Sequence, residues 1–482
     1  MKSEGLSICG VKIPAWLILA VWTLLFMLPF LGLRPLWLPD DARYAEVARE
    51  MIESGDWLTP RLNGLPHMTK PPLTYWLIAA SMVVFGENEF AARLVNALAF
   101  CGVVVLTCFL AKKFNRPRSA FWAGAILLTS PLPAAGAHVI TTDMLLTLWI
   151  CLSVYLLWGW HQRGPWAKGR LVVAYGVLGL AFMTKGPVGV LVPLLALMGF
   201  GIFTRNWRFF REGISGWGFC LFALITVPWY ILMLVKHEGL LQYYLGNELV
   251  GRIFTTVHDR DNPFLMYPLE LVFGILPWTV FQFPALKAAF TWQKIKNRRM
   301  PDIDALLLSW ILLPLIFFSL VRSRLPLYIL SLFIPMMIVV AGHMFPEQGE
   351  SEGKEASRNG VSSRRILKMA VTTSLVLMGL NIGAAFVPTD KNIYPVVEKI
   401  RSTAASDDYR LYANRDYLHA LNFYLKKKVI VTHEFGDFTA DPGPAFLVAK
   451  FNERPSGIHE NIRGRAELIF EYHRYQVYYR RF

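Results

Sequence analysis

Apolar runs as long as a lipid bilayer is thick recur along most of this chain, and no other feature limits its fold so strongly. They fall at about 14–33, 90–111, 119–135, 139–160, 170–184, 186–204, 215–236, 266–285, 303–321, 326–343 and 366–388. A helix needs roughly 20 apolar residues to cross a bilayer, so these runs read as about eleven transmembrane helices. Only 17% of the 482 residues are charged while 54% are hydrophobic, against about 25% charged in a soluble domain. A soluble cytosolic enzyme, a disordered chain and a disulfide scaffold are all excluded. The run 73–86 has only about 14 residues, too few to cross comfortably, and is expected to lie at the interface. The first run, Ala15 to Leu33, has no small-residue cleavage site after it and reads as a retained helix rather than a signal peptide.

Charge orients these spans, because cytoplasmic loops collect Lys and Arg. Basic clusters occur at Lys112/Lys113/Arg116/Arg118, Arg163/Lys168/Arg170, Arg205/Arg208/Arg211, Lys294/Lys296/Arg298/Arg299 and Arg364/Arg365/Lys368. Two spans separate each cluster from the next, which places all five on the inner side. The amino terminus is then internal, and loop 34–89 and the polar tail after Val387 are external. The expected organisation is a transmembrane domain over 1–388 with a large first external loop, and a small external α/β domain over 389–482. Short β-like runs at Lys428 to Thr432, Ala445 to Val448 and Glu467 to Phe470 supply the strands. The stretch 347–360 reads as a flexible inner loop.

The net charge of +15 has its explanation in those loops. No nucleic-acid module or zinc spacing accompanies it, so no nucleic-acid partner is expected. Five cysteines (Cys9, Cys101, Cys108, Cys151, Cys220) sit in or beside apolar runs without a CxxC pair and read as packing residues.

Cations on the outer side break the positive-inside rule and need a reason. They are Arg43, Lys70, Lys185, Arg252, Arg322 and Arg324. Singly, each reads as well as a side chain snorkelling to lipid headgroups. Together, at the outer mouth of a bundle, they suggest an anion site, most naturally for phosphate. Acids share that side. Asp40 and Asp41 open a helix carrying Tyr44, Val47, Met51 and Ile52 at amphipathic spacing, closed by Gly55. Asp40 reads either as its N-cap or as a carboxylate for general-base or electrostatic work on a sugar. Asp143, at the outer start of an apolar helix, has the same two readings. His258, Asp259 and Asp261 read as a solvated loop more readily than as metal ligands, because their spacing matches no standard site.

At these residues a family becomes recognisable. Trp37-Leu38-Pro39-Asp40-Asp41-Ala42-Arg43-Tyr44-Ala45-Glu46, then Ser54-Gly55-Asp56-Trp57, then Asn63 through Pro72 and Tyr75-Trp76 resemble the first external loop of bacterial lipid-linked sugar transferases. These belong to the protein O-mannosyltransferase family, and the nearest branch is the lipid A aminoarabinose transferases. Met183-Thr184-Lys185-Gly186, Leu276-Pro277-Trp278, and Ser309-Trp310 through Leu330 support the match. The resemblance covers about residues 14–345. It implies a GT-C fold, a polyprenyl-phosphate sugar as donor, and transfer at the periplasmic face of the inner membrane to lipid A or another envelope glycan, without a nucleotide sugar. It places Asp40 and Asp143 as the catalytic acids, Arg43 and Lys70 near the donor phosphate, Lys185 and Tyr328 on the cavity wall, and Glu248 and Arg252 in a weaker motif; Arg324 is a further candidate for the phosphate. Two departures stand out. The residue before Lys70 is typically acidic and associated with a metal in this branch but is Thr69 here, so a divalent metal stays open but without support from this position, and it is not carried over with the resemblance. That branch also has two more spans before its external domain. Transfer to a protein or another glycan is the nearest alternative. A transporter or lipid flippase fits less well, since no inverted repeat or mid-membrane charge is present.

Overall fold

The computed structural model describes residues 5–8, 11–163, 166–251, 262–291, 300–347, 362–414, 418–432, 435–452, 462 and 464–480. Arg252, the His258/Asp259/Asp261 group, Cys9, the basic cluster 294–299 and nearly all of the stretch 347–360 lie outside the described residues. The chain divides into two compact units. The first comprises Met1–Pro29, Thr69–Thr74 and Val95–Leu380, and the second Phe30–Met68, Tyr75–Leu94 and Asn381–Phe482. Most of the first loop thus falls in the same unit as the tail.

The first unit is a helical bundle. Among the described residues seven helices are long and apolar enough to cross a membrane, and an eighth span forms if Pro117–Leu128 and Pro131–His138 are one crossing bent by 57°. That bend has a local cause. Pro131 cannot donate a helical hydrogen bond, while the Thr129 and Ser130 hydroxyls turn back onto the Ala125 and Ile126 carbonyls at 2.8 and 2.7 Å. Ala15–Phe30 and Val188–Thr204 are apolar but shorter. The expected span 266–285 is two short helices, Met266–Phe273 and Thr279–Ala289, separated by Gly274 and Pro277. The difference from eleven uniform spans therefore comes from Pro and Gly, which break apolar runs without altering their hydropathy.

Helix pairs pack tightly in this unit: Asp143–His161 on Ala167–Lys185, Ala167–Lys185 on Gly216–Lys236, and Asp302–Leu320 on Val188–Thr204. At the last contact a Cβ added to Gly199 would lie 2.6 Å from the Cβ of Ser309, so only glycine permits that approach. Gly216–Lys236 and Ser363–Phe386 leave most of their apolar side chains uncovered. In water such surfaces drive association; on a multi-pass membrane protein they are the lipid-facing side.

In the second unit the expected loop helix is present as Asp40–Ser54. Tyr44, Val47 and Met51 are buried, and Gly55 ends the helix in the left-handed region at φ 68°. Asp41 is a buried hub whose Oδ2 accepts from Arg34 and Arg93, each at 2.8 Å. Arg93 also donates to the Leu31 and Pro35 carbonyls at 2.8 Å. Glu50 receives the Asn63 and Gly64 amides. Asn63 in turn donates to the Val429 carbonyl at 2.8 Å and accepts from the Val429 amide at 2.9 Å. The Tyr424 hydroxyl receives the Leu36 amide at 2.8 Å and donates to Glu89 at 2.7 Å.

The tail folds as the expected α/β domain, around a five-stranded sheet ordered Val429–Thr432, Arg410–Asn414, Ala445–Lys450, Tyr475–Arg480, Glu467–Tyr472. The first three strands are parallel and the last two pairings antiparallel. Tyr412, Leu447 and Tyr478 stand in register on one face and pack with Phe435, Phe438 and Ile462.

Candidate functional site

A cavity of about 680 Å³ opens within the helical unit. Each wall follows from a local rule. Asp143, Leu146, Thr147 and Ile150 line it because residues at i, i+3, i+4 and i+7 share one helix face. Lys185 is the last residue of Ala167–Lys185; Gly186, at φ 68°, ends that helix and turns the chain into Val188–Thr204. Tyr328 and Ser331 are three apart on the 3₁₀ segment Pro326–Leu332, where such residues eclipse, and both line the cavity. Tyr244 and Glu248 reach it from Tyr243–Gly251, a segment wound as a π-helix, a geometry enriched at functional sites. Thr69 and Lys70 add to the polar lining, and Pro71, Phe182, Leu191, Leu194, Phe222, Phe317 and Phe318 supply a broad apolar wall.

The charges in this cavity come in pairs. Lys185 bonds Asp143, and its ammonium also sits over the Tyr328 ring, 4.1 Å from the centroid. The side chains of both Lys185 and Asp143 are 9% exposed. Asp143 is the first residue of its helix and Lys185 the last of its own, so each helix dipole favours the charge it carries. Lys70 lies 3.2 Å from Glu248 Oε2 and donates to the Thr69 carbonyl at 2.7 Å. The Tyr243 hydroxyl is 3.4 Å from Glu248 Oε1. Among the described residues, the cavity therefore holds two cations and two carboxylates against an apolar background. Ser323 and Ser331 also line it, and among the described residues their hydroxyls have no hydrogen-bond partner.

The structure thus brings five sequence-named residues onto one cavity: Lys70, Asp143, Lys185, Glu248 and Tyr328. Arg324 is not among the lining residues. Its guanidinium bonds the Asn262 carbonyl and, at 3.3 Å, the Ser319 carbonyl, bracing the turn that leads into the 3₁₀ segment. Asp40 and Arg43 belong to the second unit, where they bond each other one turn apart at the start of Asp40–Ser54. Neither Asp40 nor Asp143 is an N-cap: each is the first helical residue and follows Pro39 or Thr142, with no side-chain capping bond. Asp40 remains well exposed, at 39% for its side chain, whereas Asp41 is 1% exposed.

Sequence reasoning missed three things. Arg93 was not singled out, although a lone Arg near the start of an apolar run is a signal. The pairing of Lys70 with Glu248 joins positions 178 residues apart and leaves no local signature. Ser323 and Ser331 are ordinary residues until a cavity is seen beside them. No group of three His, Cys, Asp or Glu suited to a metal occurs among the described residues. At the position associated with a metal in the aminoarabinose branch, Thr69 has no carboxylate to offer and its carbonyl is bonded to Lys70, so that site does not fit a metal of the kind the branch implies.

A family model described as dolichyl-phosphate-mannose-protein mannosyltransferase matches residues 13–244. Undecaprenyl phosphate-alpha-4-amino-4-deoxy-L-arabinose arabinosyl transferase of Edwardsiella ictaluri is 33% identical over 363 residues, 73% of this chain and 63% of that protein. A second such transferase, from Pseudomonas fluorescens, is 32% identical over 352 residues, 72% of this chain and 62% of that protein. The chain thus spans just under two thirds of the length of these relatives. Among solved structures, ArnT from Cupriavidus metallidurans bound to undecaprenyl phosphate superposes with a TM-score of 0.81 at 22% identity, covering 96% of this chain and 98% of that one. The Archaeoglobus fulgidus oligosaccharyltransferase in complex with Zn and sulfate gives 0.60 at 12% identity, over 90% of this chain and 68% of that one. The helical GT-C fold is common to all three.

Proposed function

We propose that the chain is a member of the protein O-mannosyltransferase family, an integral-membrane glycosyltransferase that moves 4-amino-4-deoxy-L-arabinose from undecaprenyl phosphate to lipid A. The observation that carries this reading is the cavity: a broad apolar wall suited to a polyprenyl tail, with Lys70 and Lys185 positioned for the phosphate. The curated relatives carry that activity in their names.

In this reading the site and the tail domain face the periplasm and the chain lies in the inner membrane. The lipid tail lies along Leu191, Leu194, Phe222 and Phe317. Lys70 and Lys185 hold the phosphate, which is the leaving group, and stabilise the charge it gains as the bond to the anomeric carbon breaks. The acceptor oxygen forms the new bond from the opposite face, and undecaprenyl phosphate departs. When the acceptor is a hydroxyl, Asp40 takes its proton as general base; when it is a phosphate of lipid A, already anionic, Asp40 orients the donor and stabilises positive charge on the sugar ring. Asp143 holds Lys185 in place. Arg43 steadies Asp40. Tyr328 walls the sugar, and Arg324 holds the turn that leads to it through the Asn262 and Ser319 carbonyls. With Thr69 in place of the acidic neighbour, no step is assigned to a metal.

The test is transfer in proteoliposomes containing labelled undecaprenyl-phosphate-aminoarabinose and lipid A. Release of undecaprenyl phosphate together with a mass gain on lipid A is expected; intact donor and unshifted lipid A overturn the reading. Asp40→Asn should lower turnover by ~10²-fold or more, and wild-type turnover removes Asp40 from the mechanism. Transfer to a protein is the second reading, favoured by the description of the matching family model. An acceptor peptide that gains sugar while lipid A does not would establish it. Donor movement across the bilayer without release of undecaprenyl phosphate marks a flippase.

A further inference from the structure

In the helical unit Thr23, Thr107, Thr129, Thr147, Thr184 and Ser309 each donate to the carbonyl four residues back, at 2.6 to 2.8 Å. That bond satisfies a hydroxyl inside an apolar bundle without a partner from elsewhere. Even Thr147, on the cavity wall, is satisfied this way, by Asp143. Ser323 and Ser331 behave differently. Both line the cavity, they are 4% and 2% exposed, and among the described residues neither hydroxyl has a partner. The cause is local. Ser323 lies in the bend after Asp302–Leu320, and Ser331 on the 3₁₀ segment Pro326–Leu332, so neither has behind it the α-helical carbonyl that serves the others. Thr74 and Ser374 also lack a partner but are not among the lining residues. A buried hydroxyl without a hydrogen bond lowers stability. On a cavity wall that penalty disappears when a ligand supplies the bond.

We infer that Ser323 and Ser331 are specificity residues that hydrogen-bond ring hydroxyls of the donor sugar, one on each side of Tyr328 along the chain. The inference rests on the glycosyltransferase reading above and deepens it. Of the parts of such a donor, the polyprenyl tail has no polar atom to give. The phosphate oxygens only accept, and in that reading the ammonium groups of Lys70 and Lys185 meet them. A sugar hydroxyl both donates and accepts, as a serine hydroxyl does, so the two pair without any charge. Position agrees. Ser331 eclipses Tyr328 on the 3₁₀ segment, and the Tyr328 ring lies under the Lys185 ammonium, 4.1 Å from its centroid. The backbone just after Ser323 is clamped: the Asn262 side-chain amide donates to the Arg324 carbonyl at 2.9 Å, and the Tyr267 hydroxyl to the Leu325 carbonyl at 3.3 Å. The wall is thus set before the ligand arrives, which lowers the cost of ordering it on binding.

The experiment measures kcat/KM for undecaprenyl-phosphate-aminoarabinose and for its 2-deoxy and 3-deoxy forms, with lipid A as acceptor, in detergent-solubilised full-length wild type, Ser323→Ala and Ser331→Ala. The ratio of wild type to variant on each donor cancels the effect that deoxygenation itself has on bond cleavage. Each Ala variant should lose about three- to tenfold on the full donor and nothing on the deoxy donor that lacks its hydroxyl. Affinity for sugar-free undecaprenyl phosphate should be unchanged. The unfolding temperature of each ligand-free variant should equal or exceed that of the wild type, because an unpaired buried hydroxyl has been removed. The inference is overturned for either serine whose variant falls equally on all three donors, falls on none, or binds sugar-free undecaprenyl phosphate more weakly. A lowered unfolding temperature overturns it as well, since the hydroxyl is then already satisfied in the free protein. The thermal and binding arms stand even if a variant transfers poorly. A wild-type protein that transfers from none of the donors overturns the glycosyltransferase reading itself, a result distinct from equal losses on all of them.

Discussion

Both units bury charge, and they do so in opposite styles. In the second unit Asp41 accepts from two arginines, and Arg93 also donates to backbone carbonyls. None of Asp41, Arg34 and Arg93 lines the cavity of the helical unit. There Lys185–Asp143 and Lys70–Glu248 line open space. A shared buried network of the first kind fixes geometry; pairs facing a cavity stay open to exchange with a ligand. Asp40 and Asp41 draw the same line between neighbours in sequence: one is well exposed and paired locally, the other is sealed inside a network.

The contrast is open to direct attack. The largest effect is expected in the buried Asp41 network. Arg93→Met should destabilise the protein by ~3–5 kcal/mol, because it strands a buried carboxylate, read as a lower unfolding temperature before any activity is measured. An unchanged midpoint would break the comparison at its structural end.

His419 comes next. Burial, helped by the nearby Arg43 charge, lowers its pKa to about 4 from an ordinary value near 6.5. The folded state keeps the imidazole neutral where the unfolded chain already binds a proton, so stability is full above pH 6.5 and falls as pH drops toward 4. The loss is on the order of 3 kcal/mol at the acid end. Unfolding midpoints measured across that range should fall in the wild type and fall less in His419→Gln; parallel curves would discount this histidine.

At the cavity the order of effects reverses. Lys185→Met should cost about a hundredfold in kcat/KM, or ~2.7 kcal/mol of transition-state stabilisation, with only a small change in unfolding temperature. A large thermal shift with proportionate activity would class this pair with the buried Asp41 network. Smallest is Tyr424→Phe, which removes the bonds to Leu36 and Glu89 and should cost ~1–2 kcal/mol with donor KM unaltered. A change in donor KM would give Tyr424 a part in donor binding and count against a purely structural role.

Much of this was legible in the residues. Apolar length gave the helical bundle, and Gly55 gave the end of the loop helix. Three strands of the tail were visible from their β-branched and aromatic runs. The strands Arg410–Asn414 and Tyr475–Arg480 were not, since their identity depends on pairing with Ala445–Lys450 on either side. Span count was the weakest inference, because hydropathy does not register the break between Met266–Phe273 and Thr279–Ala289. At the site, wrong-side charge singled out Lys70 and Lys185, two residues that line the cavity. It did not identify their partners, because the partners of a charge lie far away in sequence and the sign of a cluster is a sum over all of them.

The Asn63 bonds to Val429 and the Tyr424 bond to Leu36 tie residues near the start of the chain to residues near its end. During synthesis, the segment bearing Asp40 emerges hundreds of residues before the strand that completes its surroundings. Until that strand arrives, the early loop has no sheet to rest against. A ribosome that stalls, or a gene cut short, after the last apolar helix would leave a membrane-inserted bundle whose first loop lacks those anchors, so the tail serves as a completion signal for the region carrying the proposed catalytic acid.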